Sequence, residues 1–261
     1  HGSVSYFANE MKSKVSKSTF MLERNSLAYS RAWVSTSEYT LKKTKNLFEL
    51  RPTIEKVIHN FVEVTGSVEL SNKLANFVIY TGSLVEKKGV YSLMKAWNIV
   101  SHKNRDLHLH IYGKDTRTSN GESVRAKMFD LLEEQAKRSV TFHGHVTAQE
   151  IKSLLSQALI AVFPSYAEAF ALAPLEAMAQ GCATIYSRLG SGPEVITEGV
   201  DGLLVNPSNF EEIALAILNL NENKERRLMI ATNGVKKIKN SFSSDIIMKQ
   251  NLEFYHRIQV G

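Results

Sequence analysis

Two glutamates, Glu168 and Glu176, are the side chains of this sequence best placed to do chemistry. They flank a predicted turn between an apolar run, 158–164, and an apolar helix with Pro174 in its first turn and Gly181 just past its end. The run is typical of a buried strand, and open α/β sheets bind ligands at the carboxyl ends of their strands. The free N–H groups where a helix begins suit anions and phosphates. The pattern therefore predicts a site for a polar, anionic ligand between two carboxylates.

The elements that would position this site alternate along the chain from about residue 74. Apolar runs predict six strands, at 77–81, 107–112, 140–142, 159–163, 183–186 and 203–205. Helical periodicity lies between them, and two capping boxes, Thr147-x-x-Glu150 and Ser208-x-x-Glu211, predict two helix starts. Two further helical stretches end the chain, at 222–239 and 243–257. This alternation indicates a parallel sheet with helices on both faces, in one doubly wound domain.

Residues 1–73 follow a different pattern. They predict a helix at 18–29, a strand at 32–35, a second helix at 40–50 and a second strand at 56–59. This region is too short to form a complete domain of the same kind, so we expect part of a second α/β unit.

Composition narrows the classes of function. The 261 residues contain no apolar stretch near the ~18 residues needed to span a bilayer. A single cysteine, Cys182, excludes an internal disulfide framework and indicates a reducing, cytoplasmic location. Residues 1–50 hold eight Lys or Arg and four Glu, which is either a solvated helix face or a surface for an anionic partner, such as a membrane or a phosphorylated acceptor. No zinc spacing or RNA-recognition signature is present, so nucleic acid is not expected as a partner.

The segment 168–181 resembles the E-x7-E motif of retaining glycosyltransferases with the two-domain GT-B fold, most closely glycosyltransferase family 4. It departs from the family pattern at Ala169 and Ala171, where glycine is usual, and at Ala183, where proline is usual. Further matches follow in register: 82–89 resembles G-R-L-x-x-x-K-G, 111–113 V-G-x-G, 142–146 F-L-G-x-V, 190–196 G-G-x-P-E-V-I and 202–205 N-G-x-L-V.

The resemblance implies an α/β protein of the GT-B type, with one complete doubly wound Rossmann-like domain and part of a second. The complete, nucleotide-sugar-binding domain would cover 77–242, the partial acceptor-side domain 1–63 and an interdomain linker 64–76. A C-terminal helix over 243–261 would pack back on the partial domain. The first half of that domain would then be absent from this sequence. His1-Gly2-Ser3 matches either a tag remnant or the H-G-S that ends a central strand in the family.

The resemblance also assigns roles to individual residues. Glu168 corresponds to the residue that contacts the donor sugar, Glu176 to the ribose-binding acid and Lys88 to the lysine that binds the donor diphosphate. Ser83 stands where the family usually has a phosphate-binding arginine. The expected catalytic residues are Glu168 and Lys88, and the expected donor-binding residues are Gly82, Ser83, Lys88, Gly113, His145, Glu168, Ala169, Phe170, Ala171, Leu172 and Glu176.

The function that the resemblance implies is transfer of a sugar, with retention, from a UDP- or GDP-sugar to a glycan or lipid-linked acceptor. No Asp-x-Asp motif is present, so neither a metal nor another cofactor is implied. We expect a cytoplasmic protein that is either free or peripheral on the inner face of the membrane. Two alternatives remain open: a catalytically inactive nucleotide-sugar-binding module, suggested by Ser83, and another GT-B enzyme such as a nucleotide-sugar epimerase.

Overall fold

Two parallel sheets organise residues 2–64 and 68–260, which are the residues that this computed structural model describes. His1, for whose origin two alternatives were given, the linker residues 65–67 and Gly261 lie outside the described residues. The strands are β1 (Ala32–Ser35), β2 (Ile54–Val57), β3 (Phe77–Thr81), β4 (His108–Tyr112), β5 (Val140–Gly144), β6 (Ile160–Phe163), β7 (Ala183–Ser187) and β8 (Leu203–Val205). The helices are α1 (Val4–Glu10), α2 (Lys17–Ala28), α3 (Glu38–Phe48), α4 (Val90–Lys103), α5 (Val124–Asp130), α6 (Glu134–Lys137), α7 (Ala148–Gln157), α8 (Leu172–Ala179), α9 (Gly192–Val195), α10 (Phe210–Glu222), α11 (Lys224–Ser241) and α12 (Ser244–Val260), with 3₁₀ turns at Leu70–Asn72 and Glu86–Lys88.

The larger sheet has six parallel strands in the order β5-β4-β3-β6-β7-β8. All six predicted strands are confirmed, with ends within one or two residues of the predicted ones. This order is the usual doubly wound one, in which the chain runs outward from β3 to one edge and then returns to build the other half. The order therefore reverses between β3 and β6, and the carboxyl ends of those two strands form the topological switch point.

The central strands are buried on both faces because helices cover them. Every residue of β3, β6 and β7 is buried, as their continuous apolar runs predict. On one face α4 contributes Leu93, Trp97 and Val100, all fully buried. On the other face α8 packs Leu175 and Met178 against the sheet. The strand ends are thus fixed between two well-packed layers.

Helix starts follow local capping chemistry, with one correction. The capping box at Thr147 and Glu150 is confirmed, since both reciprocal hydrogen bonds of the motif are formed. The predicted box at Ser208 is wrong, because α10 is capped one residue later by Asn209, whose side chain accepts from the Glu212 N–H at 3.0 Å. The side chain of Asn206 accepts the Ser208 N–H at 3.0 Å, which keeps Ser208 in the preceding turn.

Residues 2–64 form the smaller sheet, in which β1 and β2 pair in parallel, with α1, α2 and α3 around it. The second strand ends at Val57 rather than at the predicted residue 59, because His59 turns away and its Nδ1 lies 2.8 Å from the carbonyl oxygen of Thr36. Ile247 and Phe254 of α12 form a buried cluster with Ile58 of this part of the chain. The exact domain boundaries remain a prediction.

Candidate active site

A cavity of about 430 Å³ lies at the carboxyl ends of β3 and β4, beside the switch point. We call it the switch-point cavity. Five of the predicted donor-binding residues line it: Gly82, Ser83, Gly113, His145 and Glu176. The fold therefore brings together residues that are nearly one hundred positions apart in the sequence, at the edge where ligands bind in open α/β sheets.

A second cavity of about 320 Å³ adjoins the first, and Glu176 lies between the two. Both cavities share Glu176, Ala148 and Ile151 as lining residues, and Leu172 lines the second one. The Glu176 side chain is exposed, yet partial desolvation by the cavity wall raises the pKa of its carboxyl. The Glu176 carboxylate, a hydrogen-bond acceptor between the two cavities, can therefore contact a ligand that extends across both.

Two glycines allow the loops after β3 and β4 to approach each other closely. A Cβ on Gly113 would lie 1.8 Å from the carbonyl oxygen of Gly82, and Gly82 itself has a φ of 144°. The Gly82 N–H donates to the Tyr112 carbonyl at 2.9 Å, and the Gly113 N–H donates to the Gly144 carbonyl at 2.7 Å. A side chain at position 113 would push these loops apart and change the floor of the cavity.

The loop after β3 also carries Lys88, which pairs with Glu168. The turn Glu86–Lys88 ends at Gly89, whose φ is 71° and where a Cβ would lie 1.8 Å from the Pro164 carbonyl oxygen. The ammonium of Lys88 forms an ion pair with the carboxylate of Glu168, whose side chain is 10% exposed, against 25% for the lysine. Ser165 Oγ donates to the same carboxylate at 3.1 Å. The two expected catalytic residues are therefore in contact.

The three residues after Glu168 are buried and line neither cavity. Ala169, Phe170 and Ala171 are each about 7% exposed, and α8 begins directly after them at Leu172. The predicted helix with Pro174 in its first turn is confirmed. Of the expected donor-binding residues, these three, Glu168 and Lys88 are absent from the lining of the two cavities, among the described residues.

Sequence reasoning missed Thr81, the residue before Gly82. It lines the switch-point cavity and is 5% exposed, and its hydroxyl has no hydrogen-bond partner within the part of the chain that the structure describes. A buried hydroxyl without a partner costs free energy, so a ligand oxygen or N–H in the cavity would satisfy it. The signal for it was a polar residue at the end of an apolar strand.

The described residues contain no cluster of three or more His, Cys, Asp or Glu side chains arranged to hold a metal ion. None of the helices within 2–64 and 68–260 combines the length and apolarity needed to cross a bilayer.

The fold defines a class of protein. The chain superimposes on solved GT-B glycosyltransferases: on sucrose-phosphate synthase from Thermosynechococcus elongatus with a TM-score of 0.80 and 21% identity, covering 95% of this chain and 63% of that one. HepE from Anabaena, solved in complex with UDP and glucose, matches with a TM-score of 0.80 and 19% identity, covering 93% of this chain and 67% of that one. The fold is therefore that of the GT-B glycosyltransferases.

The sequence identifies the family within this class. Residues 66–237 match the family described as glycosyl transferases group 1, so the chain belongs to that family. The capsular polysaccharide biosynthesis glycosyltransferase CapM of Staphylococcus aureus is 29% identical over 183 residues, which are 69% of this chain and 46% of CapM. The O-antigen chain mannosyltransferase RfbU of Salmonella typhimurium is 30% identical over 193 residues, 72% of this chain and 51% of RfbU. The chain thus spans about half the length of these relatives.

Proposed function

We propose that this chain transfers a sugar from a UDP- or GDP-sugar to a glycan or lipid-linked acceptor, with retention of configuration. The observation that carries the proposal is the contact between Lys88 and Glu168. Lys88 lies on the loop after β3, whose first residues line the same cavity as Glu176. One cation and two carboxylates at the switch point suit the three polar parts of such a donor, which are its diphosphate, its sugar and its ribose.

The proposed roles of Lys88 and Glu168 follow from the charge that develops during transfer. When the bond between the sugar and the diphosphate breaks, negative charge gathers on the diphosphate and positive charge on the sugar ring. Lys88 provides a mobile positive charge for the departing diphosphate. Glu168 then contacts the donor sugar, and its partner Ser165 keeps the carboxylate in place at 3.1 Å. The ion pair in the ligand-free chain keeps both charges compensated until the donor replaces one partner.

Glu176 and His145 hold the nucleoside in this proposal. The carboxylate of Glu176 accepts hydrogen bonds from the vicinal ribose hydroxyls, as an acid does in dinucleotide folds. His145 forms part of the wall of the same cavity, beside the base. The complex of HepE with UDP and glucose supports a uridine donor, and a guanosine donor is the alternative.

Calorimetric titration tests the central part of the proposal. UDP or GDP should bind with a Kd between about 1 mM and 1 µM, equivalent to roughly 4–8 kcal/mol, and uridine or guanosine alone should bind more weakly. Glu176→Gln should abolish most of the binding heat that a titration with nucleotide gives above a titration with buffer. If UDP, GDP and ADP all fail to bind at about 10 mM, the proposed function is wrong.

Ser83 favours a second candidate function, a nucleotide-sugar-binding module that does not transfer. Serine supplies one neutral hydrogen bond where an arginine would supply a bidentate, charged one. The two candidates differ in one measurement: release of the nucleoside diphosphate from the nucleotide sugar that binds most tightly, with and without polysaccharide or lipid-linked acceptors. Tight binding without any release would favour the module.

The acceptor, the location and the independence from metal are also proposals. The names of CapM and RfbU support a growing cell-surface polysaccharide as acceptor. The exposed Met21 and Leu22 of α2, close to Lys17, support a cytoplasmic protein that is peripheral on an anionic membrane. Co-sedimentation with phosphatidylglycerol vesicles, compared with phosphatidylcholine vesicles, tests this location. Unchanged donor binding and transfer in EDTA would support a reaction without metal.

A further inference from the structure

Hydroxyl groups from the amino-terminal part of the chain hold the backbone of the loop that carries Glu168. The Tyr6 hydroxyl donates to the carbonyl oxygen of Glu168 at 3.0 Å. The carbonyl oxygen of Ala169 lies 2.8 Å from Ser37 Oγ and 3.0 Å from Thr40 Oγ1, and these two hydroxyls also lie 2.8 Å from each other, so together they supply its donor. We call Tyr6, Ser37 and Thr40 the hydroxyl clamp. Two consecutive peptide groups of the loop are thus held by side chains more than one hundred residues away.

The clamp is buried, so its hydrogen bonds are not exchanged for bonds to water. Tyr6, Ser37 and Thr40 are 1%, 0% and 3% exposed. Burial also raises the pKa of the Tyr6 hydroxyl far above its ordinary value, so this group stays protonated and can donate at any physiological pH. A buried carbonyl that loses its donor is costly, so the loop is stable in one orientation as long as the clamp is intact.

The clamp fixes which way the N–H groups of the loop point. A trans peptide group is planar, and its N–H points opposite to its carbonyl. Because the carbonyls of Glu168 and Ala169 point to the clamp, the N–H groups of Ala169 and Phe170 point away from it. The Glu168 α-carbon belongs to the first of these two planes, so the clamp also restrains the position from which the Glu168 side chain starts.

A second contact ties the clamp to the six-stranded domain. Ser37 is the N-cap of α3, and its Oγ accepts from the Thr40 N–H at 3.1 Å. The carboxylate of Glu194 accepts from the N–H groups of Glu38 and Tyr39 at 2.8 and 2.9 Å, at the same helix start. A carboxylate at a helix N-terminus is also favoured by the helix dipole. The start of α3 is therefore held at two points, the Glu168 loop and Glu194.

We propose that the hydroxyl clamp positions the Glu168 loop for sugar transfer, and that this orientation exists only while the amino-terminal part of the chain lies against the six-stranded domain. The proposal rests on the proposed function. Tyr6, Ser37 and Thr40 contact the backbone of the loop, whereas Glu176 and the cavity that would hold the nucleotide lie outside their contacts. The clamp should therefore affect how the sugar is held, and not how the nucleotide is held.

The test uses Tyr6→Phe, Thr40→Val and the double variant, which remove hydroxyls and keep the shape of the side chains. Ser37 is left unchanged because it also caps α3. The matched control is Thr184→Val, which removes a fully buried hydroxyl that donates to the Cys182 carbonyl at 3.1 Å in the core of β7. Each variant is first compared with the unmodified chain in its circular dichroism spectrum and melting temperature.

Calorimetry with UDP and with UDP-glucose, UDP-N-acetylglucosamine and GDP-mannose provides the functional measurement. In the double variant, the Kd for the free nucleotide should change by less than about twofold, while the added affinity from the sugar should fall at least about fivefold. Release of nucleoside diphosphate should fall at least about tenfold in kcat, with little change in KM. The control should change neither quantity. An equal loss for nucleotide and nucleotide sugar, or no loss for either, would overturn the proposal.

Hydrogen–deuterium exchange of a peptide spanning 165–172 separates this proposal from the proposed function, because it needs no ligand. Faster exchange there in the double variant, with no change in the control, supports the clamp even if no nucleotide binds. Unchanged exchange in a folded double variant overturns it even if nucleotide binding is strong. If the double variant does not fold, Tyr6→Phe alone decides, since it removes a single oxygen.

Discussion

Replacing Lys88 by methionine should separate the structural value of its ion pair from its value in donor binding. The pair with Glu168 is mostly buried, with side-chain exposures of 25% and 10%. Removing one partner of a fully buried pair costs about 3–5 kcal/mol, and an exposed pair is worth about 0–1 kcal/mol. We therefore expect Lys88→Met to lower the free energy of unfolding by about 2 kcal/mol, a large part of a typical stability of roughly 5–15 kcal/mol.

The chain offers a matched control in a second ion pair of the same burial. Lys237 pairs with Asp201 at 3.2 Å, with exposures of 22% and 7%, and Lys237 lies on α11 rather than on the loop that follows β3. Lys237→Met should lower the free energy of unfolding by a similar amount, about 2 kcal/mol. Only Lys88→Met should weaken binding of UDP or GDP, by about 10–100-fold, since a hydrogen bond to a charged group is worth about 1.5–3 kcal/mol.

Urea unfolding and calorimetry of the same samples provide the two readouts. The double variant Lys88→Met, Glu168→Gln should recover part of the lost stability, because it leaves no unpaired carboxylate; we expect a coupling of about 1–2 kcal/mol. It should not recover nucleotide binding. If Lys88→Met and Lys237→Met weaken nucleotide binding equally, the loss comes from stability alone, and the assignment of Lys88 to the diphosphate is refuted.

Three further substitutions test the cavity. Because desolvation raises the pKa of Glu176 in the folded chain, its ionised form destabilises the fold. Glu176→Gln should therefore raise the free energy of unfolding at pH 7, and this gain should disappear as the pH falls below the ordinary pKa of 4.5. The same substitution should weaken nucleotide binding at pH 7. Ser83 is exposed at the cavity, so Ser83→Arg should tighten nucleoside diphosphate binding up to about tenfold after ordering costs, less so at high salt and not for the nucleoside; equal affinity of variant and parent would show that position 83 does not face the phosphates. Thr81→Val should raise the melting temperature of the ligand-free chain, since it removes an unpaired buried hydroxyl that costs about 1–3 kcal/mol. It should also reduce the increase in melting temperature that UDP produces. If UDP raises the melting temperature of variant and parent equally, Thr81 does not contact the ligand.

The six strands of the larger sheet could be predicted from the sequence because their signal is local. A strand that is buried on both faces needs a continuous apolar run, and such runs are present at 77–81, 159–163 and 183–186. The alternation of strands and helices predicts a parallel sheet, whereas the strand order and the switch point come from the structure. The resemblance to the family assigned the cavity-lining residues, and Gly82, Gly113 and His145 directly follow the ends of β3, β4 and β5.

The amino-terminal part was predicted less well because its elements depend on distant contacts. Helix α1 has only seven residues, and a helix of that length is not stable alone in water. It forms because the Glu23 carboxylate accepts from the N–H groups of Val4 and Ser5, at 2.8 and 3.0 Å, and because Tyr6 is buried against the Glu168 loop. The hydroxyl clamp was invisible for a related reason: its partners are backbone carbonyls, which every residue carries, so no side-chain pattern marks them.

The backbone accommodates two of the departures from the family pattern without strain. Positive φ favours glycine, and within 2–64 and 68–260 the non-glycine residues that adopt it are Lys12 and Glu49. Ala169 and Ala171 therefore occupy ordinary backbone conformations, and their methyl groups are buried without strain in the loop. The exchange of glycine for alanine leaves the loop intact, and the clamp restricts it further. Ser83 differs, because it replaces a charged group at the cavity itself, so any deficit in donor binding should be traced to position 83 and not to the loop.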